Sequence, residues 1–287
     1  MIGARDPFGF KPLCIGKRDN TYFLSSETCA LDTVGAEFIR DVLPGEIVTI
    51  TQDGIESDTS MMRNETAKCI FEYIYFARPD SKFDGMGVYE SRINAGRILA
   101  KTHPVEADIV VGVPESGNPA ALGYSMESGI PYGNAFIKNN YVGRTFIKPK
   151  QEQRESSVMV KLNVLKEAIE GKRVIMIDDS IVRGTTCARI VSLLKHAGAK
   201  EVHVRISSPP FLHPCYFGTD IPSEEQLIAS GNTVEQVCKI IGADSLGYLE
   251  VDRLSEMICG HTGFCDACFT GNYPIEPPTI DIRGEMG

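Results

Sequence analysis

The chain has 287 residues, of which 43% are hydrophobic and 23% charged, a composition typical of soluble globular proteins and unlike that of disordered or fibrous ones. At about 150 residues per domain, this length predicts about two domains. No apolar run approaches the ~20 residues that cross a bilayer, and the first residues do not form a signal peptide, so we predict a cytoplasmic protein without a membrane span. The net charge of −9 argues against general nucleic-acid binding, which needs clustered Lys and Arg.

The first part of the chain is predicted to be rich in β-strands. Its predicted elements are a hairpin over residues 12–16 and 22–24 and a strand over residues 45–50. An Asp53-Gly54 turn follows that strand. Residues 58–67 are polar and lack periodicity, so we predict a linker there and a domain boundary near residue 64.

From residue 85 onward, strands and helices are predicted to alternate. The predicted strands cover residues 108–113, 173–177, 201–206 and 245–251. The predicted helices cover residues 119–126, 185–197 and 233–241, the last of which starts with a capping box at Thr233 and Gln236. The strands are apolar and β-branched, as in sheets buried on both faces. This alternation predicts an α/β domain with a mainly parallel sheet.

One segment carries the pattern of a phosphate-binding site. Residues 174–177 form an apolar strand, which is followed by Asp178 and Asp179, a short loop of small and hydroxyl residues, and a helix from Thr185. Backbone N–H groups and hydroxyls at a helix N-terminus bind phosphate. Acids at the carboxyl end of a parallel strand accept hydrogen bonds from ribose hydroxyls or help to hold hydrated magnesium. The competing interpretation is that the two acids only form a turn and cap the helix.

The whole string of residues 174–186 resembles the phosphoribosyl-diphosphate (PRPP) binding motif of type I phosphoribosyltransferases. The resemblance implies the fold of that class, with Asp178 and Asp179 as the catalytic pair that faces the ribose and Mg²⁺. It also implies that the 5′-phosphate of PRPP is cradled by the residues that follow, which are Ser180, Ile181, Val182, Arg183, Gly184, Thr185 and Thr186.

Other segments are similar to those of one family, the amidophosphoribosyltransferases. These segments are residues 4–9, 113–117, 137–147, 153–154, 161–163 and 267–271. The resemblance covers nearly the whole chain. It implies that ammonia displaces pyrophosphate from C1 of PRPP to give 5-phosphoribosylamine, the first committed step of de novo purine (IMP) biosynthesis.

The same resemblance assigns roles to two loops. The family's pyrophosphate loop corresponds to Glu115, Ser116 and Gly117. Ser116 is thereby an implied Mg²⁺ ligand beside the two acids, where the metal would stabilise the leaving pyrophosphate. Lys138 and Arg144 fall in the implied mobile loop, residues 138–161, and would close over PRPP and exclude water. The alternative for these two residues is a solvated basic loop.

Nine cysteines without a secretory signal indicate metal ligands, reactive thiols or small core residues rather than disulfides. Cys265 and Cys268 form a CxxC pair, which alone is compatible with zinc, redox or iron–sulfur chemistry. Similarity to the iron–sulfur subclass of the family implies that Cys69 and Cys215 complete the ligands of a structural [4Fe–4S] cluster. Tetrathiolate zinc is the alternative. The cysteines predicted to be small buried or incidental residues are Cys14, Cys29, Cys187, Cys238 and Cys259.

The resemblance also divides the chain. It implies a remnant of an N-terminal-nucleophile glutaminase domain plus linker over residues 1–63, a phosphoribosyltransferase domain over 64–253 and a cysteine-bearing tail over 254–287. The family's glutaminase half uses an N-terminal cysteine as nucleophile, and this sequence starts with Met1. About 60 residues are too few for a complete layered core of that domain. We therefore expect transfer from ammonia and no glutamine-dependent activity.

The family further implies purine nucleotides as feedback inhibitors and a homo-oligomer, a tetramer in the intact enzymes. Two other functions stay open at this point: a non-catalytic PRPP-binding regulatory protein and an inactive fragment. A DNA-binding regulator would need a basic recognition helix or a winged domain. The sequence contains no visible candidate for either.

Overall fold

The computed structural model of the protein describes residues 1–138, 162–219, 221 and 223–277. Its strands are β1 (Ile2–Ala4), β2 (Cys14–Arg18), β3 (Thr21–Ser25), β4 (Glu37–Asp41), β5 (Ile47–Ile50), β6 (Ile55–Asp58), β7 (Lys68–Cys69), β8 (Lys82–Phe83), β9 (Met86–Gly87), β10 (Ile109–Gly112), β11 (Phe136–Lys138), β12 (Leu162–Val164), β13 (Arg173–Asp178), β14 (Glu201–Ile206), β15 (Ser245–Tyr248) and β16 (Phe264–Cys265). Its α-helices are α1 (Thr28–Thr33), α2 (Val88–Thr102), α3 (Gly117–Ser128), α4 (Lys166–Ile169), α5 (Thr185–His196), α6 (Val234–Ile241), α7 (Leu254–Met257) and α8 (Ala267–Thr270). A π-helical turn covers Glu72–Phe76, and 3₁₀ turns cover Glu224–Gln226 and Val251–Arg253.

The chain divides into two compact units, and each contains segments that are far apart in sequence. Unit 1 comprises Met1–Ser91, Leu212–Glu224 and Leu254–Gly287, and unit 2 comprises Arg92–Phe211 and Glu225–Arg253. This division reflects contacts in space. The domain division that the family resemblance implies, with boundaries at residues 63/64 and 253/254, stays a prediction. Within the described ranges, no helix is long and apolar enough to cross a membrane.

Unit 2 is built on a four-stranded sheet with the order β10–β13–β14–β15, in which each strand is parallel to its neighbours. The central strand β13 is buried along nearly its whole length, which explains its continuous apolar sequence. The pairs Asp178↔Ile206 and Ile206↔Tyr248 align the carboxyl ends of three strands at one edge. The prediction of an α/β fold with a mainly parallel sheet is therefore confirmed.

Helices α5 and α6 pack on one face of this sheet because each carries an apolar stripe. The buried residues of the two helices are Cys187, Ile190, Val191, Leu194, Val237 and Ile241, which join sheet residues in one core. The predicted capping box at the start of α6 is confirmed. The Gln236 N–H donates to Thr233 Oγ1 at 3.3 Å, and the Thr233 N–H donates to Gln236 Oε1 at 2.8 Å.

Helices α2 and α3 approach each other more closely than side chains would permit. A Cβ on Gly96 would overlap the carbonyl oxygen of Ala120, and a Cβ on Gly123 would overlap that of Ile93. Glycine at both positions therefore permits backbone-to-backbone contact. Arg92, one turn before Gly96, is only 2% exposed.

The described part of unit 1 contains two three-stranded antiparallel sheets, with the orders β1–β5–β6 and β3–β2–β4, and the short antiparallel pair β8–β9. The predicted hairpin is confirmed as β2 and β3, which turn at Asp19 with a φ of +55°. Arg5, itself buried, donates to the two carboxylate oxygens of Asp84 at 2.9 and 3.1 Å. Strands β7 and β16 form a two-residue parallel pair, which the sequence did not predict because such short strands carry no periodicity.

Candidate active site

Two buried acids lie where the central strand of unit 2 ends. Asp178 is the last residue of β13 and is 8% exposed, and Asp179 follows it and is 7% exposed. The Asp179 N–H donates to Asp178 Oδ1 at 2.9 Å, which fixes the first carboxylate against the backbone of the second residue. This is the carboxyl edge of a parallel sheet, where open α/β folds bind ligands.

The environments of the two carboxyl groups differ. Burial raises the pKa of Asp178 well above its usual range, and the charge of Asp179 raises it further. Burial also raises the pKa of Asp179, but hydrogen bonds from Ser116 (Oγ to Oδ2, 2.6 Å) and Ser180 and the positive charge of Arg92 oppose that rise. Asp178 is therefore the more easily protonated acid of the pair. Two carboxylates and a neighbouring hydroxyl are oxygen donors of the kind Mg²⁺ prefers, so these residues fit a magnesium ion.

The loop after the acids leads into an uncapped helix. Gly184 immediately precedes α5 and has a φ of +79°, and no side chain caps the helix there. The first N–H groups of α5 therefore receive no side-chain cap. They point back towards the loop that joins β13 to α5. Thr185 and Thr186 in the first turn are exposed, so their hydroxyls face solvent where a phosphate would enter.

Contacts with residues 226–228 hold this loop in place. Ile181 is buried, and the Ile228 N–H donates to the carbonyl of Val182 at 2.9 Å. The guanidinium of Arg183 donates to the side-chain oxygen of Gln226. The Arg183 side chain therefore bonds to another residue of the same unit.

The segment of residues 113–117 lies beside the carboxyl end of β13. The Val113 N–H donates to the Ile177 carbonyl at 2.8 Å, and a Cβ on Gly117 would overlap that same carbonyl oxygen. Glycine at 117 therefore permits the loop to approach the acids closely enough for the Ser116–Asp179 hydrogen bond. Lys138 reaches Glu115 at 3.2 Å (Nζ to Oε1), and both side chains are exposed.

The residues predicted for PRPP and magnesium binding are thus close together in unit 2, apart from Arg144 and the rest of residues 139–161, which lie outside the described residues. Their ligand-binding roles stay predictions. Sequence reasoning did not identify Arg92, because a basic residue in the first turns of an amphipathic helix usually faces water. Its 2% exposure was not readable from the sequence.

Four cysteines are gathered in unit 1 from three separate segments. Cys69 and Cys265 are paired in register across β7 and β16. The carbonyl of Cys268 accepts the N–H groups of residues 212 and 213, which precede Cys215. The Cys215 sulfur accepts two backbone N–H groups, from Phe217 at 3.5 Å and from Thr219 at 3.4 Å.

The electrostatics of these thiols also indicate that they are neighbours. Burial raises the pKa of Cys69 to about 12. Burial likewise raises the pKa of Cys268, and the charges of Cys69, Cys215 and Cys265 raise it further. In the part of the chain that the structure describes, however, no group of three or more His, Cys, Asp or Glu side chains is arranged to hold a metal ion. The donor chemistry thus fits a tetrathiolate centre, although the sulfurs do not converge on one point.

Comparison with known proteins shows which protein family the sequence of unit 2 resembles. Residues 90–207 match the family model described as the phosphoribosyl transferase domain. Strands β10, β13 and β14 and the acids at the end of β13 lie within this match, which supports the type I phosphoribosyltransferase fold for unit 2.

Over nearly its whole length, the chain is similar to amidophosphoribosyltransferases. It is 54% identical to the enzyme of Archaeoglobus fulgidus over 97% of this chain and 62% of that protein. It is 51% identical to the enzyme of Bacillus subtilis over 96% of this chain and 59% of that protein. The structure of the B. subtilis glutamine PRPP amidotransferase complexed with ADP and GMP superposes with a TM-score of 0.87 at 51% identity, covering 96% of this chain and 61% of that one. The chain thus spans about three fifths of the length of these relatives.

Proposed function

We propose that the chain catalyses the formation of 5-phosphoribosylamine and pyrophosphate from PRPP and ammonia, the first committed step of de novo purine (IMP) biosynthesis. The observation that carries this proposal is the pair of buried acids, Asp178 and Asp179, which a short loop joins to a helix N-terminus without a side-chain cap. Similarity to amidophosphoribosyltransferases, at 54% and 51% identity, supports this particular phosphoribosyl transfer.

In this proposal the protein binds PRPP at three places. The N–H groups at the start of α5 and the hydroxyls of Thr185 and Thr186 hold the 5′-phosphate. The carboxylates of Asp178 and Asp179 accept hydrogen bonds from the ribose hydroxyls. Residues 115–117 face the pyrophosphate, and Lys138 and Arg144 supply positive charge to it.

Magnesium, which phosphoribosyltransferases generally use, would be held by Asp178, Asp179 and Ser116. When bound, it supplies positive charge to the departing pyrophosphate. The protein's own contribution is orientation: the fixed acids hold the ribose so that C1 faces ammonia on the side opposite the leaving group. Because both acids are buried, water screens their electrostatic contacts less than at the surface.

The activity test is pyrophosphate release from PRPP and Mg²⁺ with ammonia, compared with glutamine, under anaerobic conditions. We expect release with ammonia, and loss of it in the Asp178→Asn/Asp179→Asn double variant. A matched control is Asp252→Asn, which removes an exposed acid of the same unit. A folded chain that binds PRPP and releases no pyrophosphate would instead support the regulatory interpretation, and one that does neither would support the inactive fragment.

We also propose that residues 1–63 are the closing part of a glutaminase domain, so that glutamine does not replace ammonia for this chain alone. The antiparallel sheets of this region and the name of the B. subtilis relative, a glutamine PRPP amidotransferase, support the proposal. Glutamine-dependent pyrophosphate release by the purified chain would contradict it.

We propose that Cys69, Cys215, Cys265 and Cys268 bind a structural [4Fe–4S] cluster. Support comes from their gathering in unit 1 and from the two N–H groups donated to the Cys215 sulfur. Iron and sulfide analysis of anaerobically purified protein should give about four of each per chain, with broad visible absorption. Cys265→Ser should abolish both, while Cys259→Ser, an exposed cysteine of the same unit, should not. A colourless protein that contains zinc would establish the alternative.

Purine nucleotides are proposed as feedback inhibitors, and the active form is proposed to be a homo-oligomer, a tetramer if it follows the intact family. The B. subtilis relative was solved with ADP and GMP, which supports the first of these proposals. Addition of both nucleotides to the ammonia assay should lower pyrophosphate release, and sedimentation velocity should report the assembly. Unchanged rates at saturating nucleotide would remove inhibition from the proposal.

A further inference from the structure

A segment of unit 2, residues 225–232, contacts the phosphate loop, which we define as residues 180–184. Two of these contacts come from one residue, Ile228. Its N–H donates to the carbonyl of Val182 at 2.9 Å. Its Cδ1 atom lies 2.5 Å from the point where a Cβ on Gly184 would stand, so the side chain fills the space beside that glycine. The backbone and the side chain of Ile228 thus both fix the loop.

The backbone contact sets the direction of an N–H group in the loop. The carbonyl of Val182 and the N–H of Arg183 belong to one peptide group, and a trans peptide group directs them to opposite sides. Because the Val182 carbonyl points to Ile228, the Arg183 N–H points away from the 225–232 segment. Backbone N–H groups in a loop before a helix N-terminus are phosphate donors. The contact that fixes Ile228 therefore also fixes the direction of such a donor.

Asn232 connects the 225–232 segment to helix α6. Its Nδ2 group donates to the carbonyl of Ile228 at 2.8 Å, four residues earlier in the chain. Asn232 immediately precedes Thr233, the N-cap of α6, and α6 is anchored in the core by Val237 and Ile241. The side chain of Asn232 therefore ties Ile228 to the start of a helix that is itself fixed by packing.

We propose that Asn232 is a positioning residue for the 5′-phosphate of PRPP. It acts through Ile228, which keeps the Arg183 N–H directed to the phosphate. This inference rests on the proposed PRPP site and adds to it a residue that lies outside the phosphate loop. Loss of the Asn232 hydrogen bond should weaken binding of the 5′-phosphate about fivefold, the change that corresponds to a typical net hydrogen bond.

The test measures the affinity of the full chain for two ligands by isothermal titration. Ribose 5-phosphate carries the 5′-phosphate alone, and pyrophosphate with Mg²⁺ represents the leaving group, which the proposed site binds at residues 115–117. Wild type is compared with Asn232→Ala and with Asn232→Leu, which keeps the volume of the side chain and removes its donor. Thr233→Ala is the matched control, because it removes the N-cap of α6 one residue away and keeps the Asn232–Ile228 hydrogen bond.

Both Asn232 variants should bind ribose 5-phosphate about fivefold more weakly than wild type and bind pyrophosphate with unchanged affinity. In the ammonia assay, KM for PRPP should rise by the same factor while kcat does not change, because the 5′-phosphate lies away from the reacting C1. Thr233→Ala should keep the wild-type affinity for both ligands, although loss of the cap lowers its free energy of unfolding in urea.

Three results would overturn the inference: unchanged affinity for ribose 5-phosphate in both Asn232 variants, an equal loss of affinity for pyrophosphate, or an equal loss of ribose 5-phosphate affinity in Thr233→Ala. Failure of the proposed function is recognised separately. Wild type would then bind ribose 5-phosphate and release no pyrophosphate from PRPP and ammonia, and the comparison of affinities would still decide the role of Asn232. A folded wild type that binds neither ligand would overturn both.

Discussion

Asp178, which we propose binds the ligand, is placed at a cost to folding. Its carboxyl is buried beside a second acid, and burial and the charge of Asp179 raise its pKa. The folded protein therefore binds a proton that the unfolded chain has already released. By linkage, the free energy of unfolding falls as the pH rises from the unfolded pKa towards the folded one.

Asp178→Asn should therefore stabilise the protein at neutral pH. The amide carries no charge and can still accept the N–H of Asp179, so we expect a gain of at least ~1 kcal/mol. The gain should shrink towards mildly acidic pH, where the wild-type carboxyl is protonated. Thermal unfolding without Mg²⁺ or PRPP measures this, with Asp252→Asn as the exposed control. A gain that does not change with pH would contradict the electrostatic reason.

Gly184 precedes α5 with a φ of +79°, which is unfavourable for residues other than glycine. A Cβ there would also lie 2.5 Å from Cδ1 of Ile228. We expect Gly184→Ala to distort the loop before α5 and to weaken PRPP binding about tenfold, equivalent to ~1.4 kcal/mol. Isothermal titration with PRPP and Mg²⁺ gives the affinity.

Gly171→Ala is the matched control for this loop. Gly171 has a φ of +73° with open space around its Cβ position, so it imposes similar backbone strain away from the site. It should lower stability and leave PRPP affinity unchanged. If both variants lose affinity equally, the effect belongs to general destabilisation rather than to the loop.

At the scale of elements, the contact between helices α2 and α3 leaves no space for a side chain at Gly96. A Cβ on Gly96 would meet the backbone oxygen of Ala120, which has no flexible side chain to move aside. Gly96→Ala should therefore separate the helices and lower the free energy of unfolding by about 1–3 kcal/mol, as overpacking does. Urea denaturation tests this. Gly231→Ala, whose Cβ would meet open space, should change it by less than ~0.5 kcal/mol.

Much of this element-level arrangement was predictable, and the exceptions have physical causes. The string from β13 through the acids to α5 was readable because an apolar run, a polar loop and a helical stripe each carry a local signal. The burial of Arg92 and the pairing of β7 with β16 were not, because both depend on partners distant in sequence. The grouping of Cys69, Cys215, Cys265 and Cys268 came from family similarity, as spacing alone linked only the last two.

At the scale of the whole molecule, unit 1 leaves apolar side chains exposed on sheet-edge strands. Ile2 of β1 is 71% exposed, and Phe38 and Ile39 of β4 are 45% and 43% exposed. Edge strands with exposed apolar residues promote association between chains.

Phe38→Lys should therefore reduce the self-association of the purified chain. A charge on an edge strand opposes strand-to-strand pairing with a second molecule. Light scattering over a concentration series is the measurement. Ile240→Lys, which replaces an exposed apolar residue of α6 in unit 2, is the control and should have a smaller effect. Equal effects of the two substitutions would assign the change to net charge alone.

The assembly of unit 1 from both ends of the chain has a consequence for its synthesis. Strand β7 finds its partner β16 only after nearly two hundred further residues have been translated, and Cys215 is also made before Cys265 and Cys268. At about 5–20 residues per second, β7 waits roughly ten to forty seconds on the ribosome without that partner. Unit 2 needs no residue beyond Arg253, so all of its sequence leaves the ribosome before unit 1 is complete. Any metal centre on the four cysteines therefore forms only after Cys268 has been synthesised, and so after all residues of unit 2.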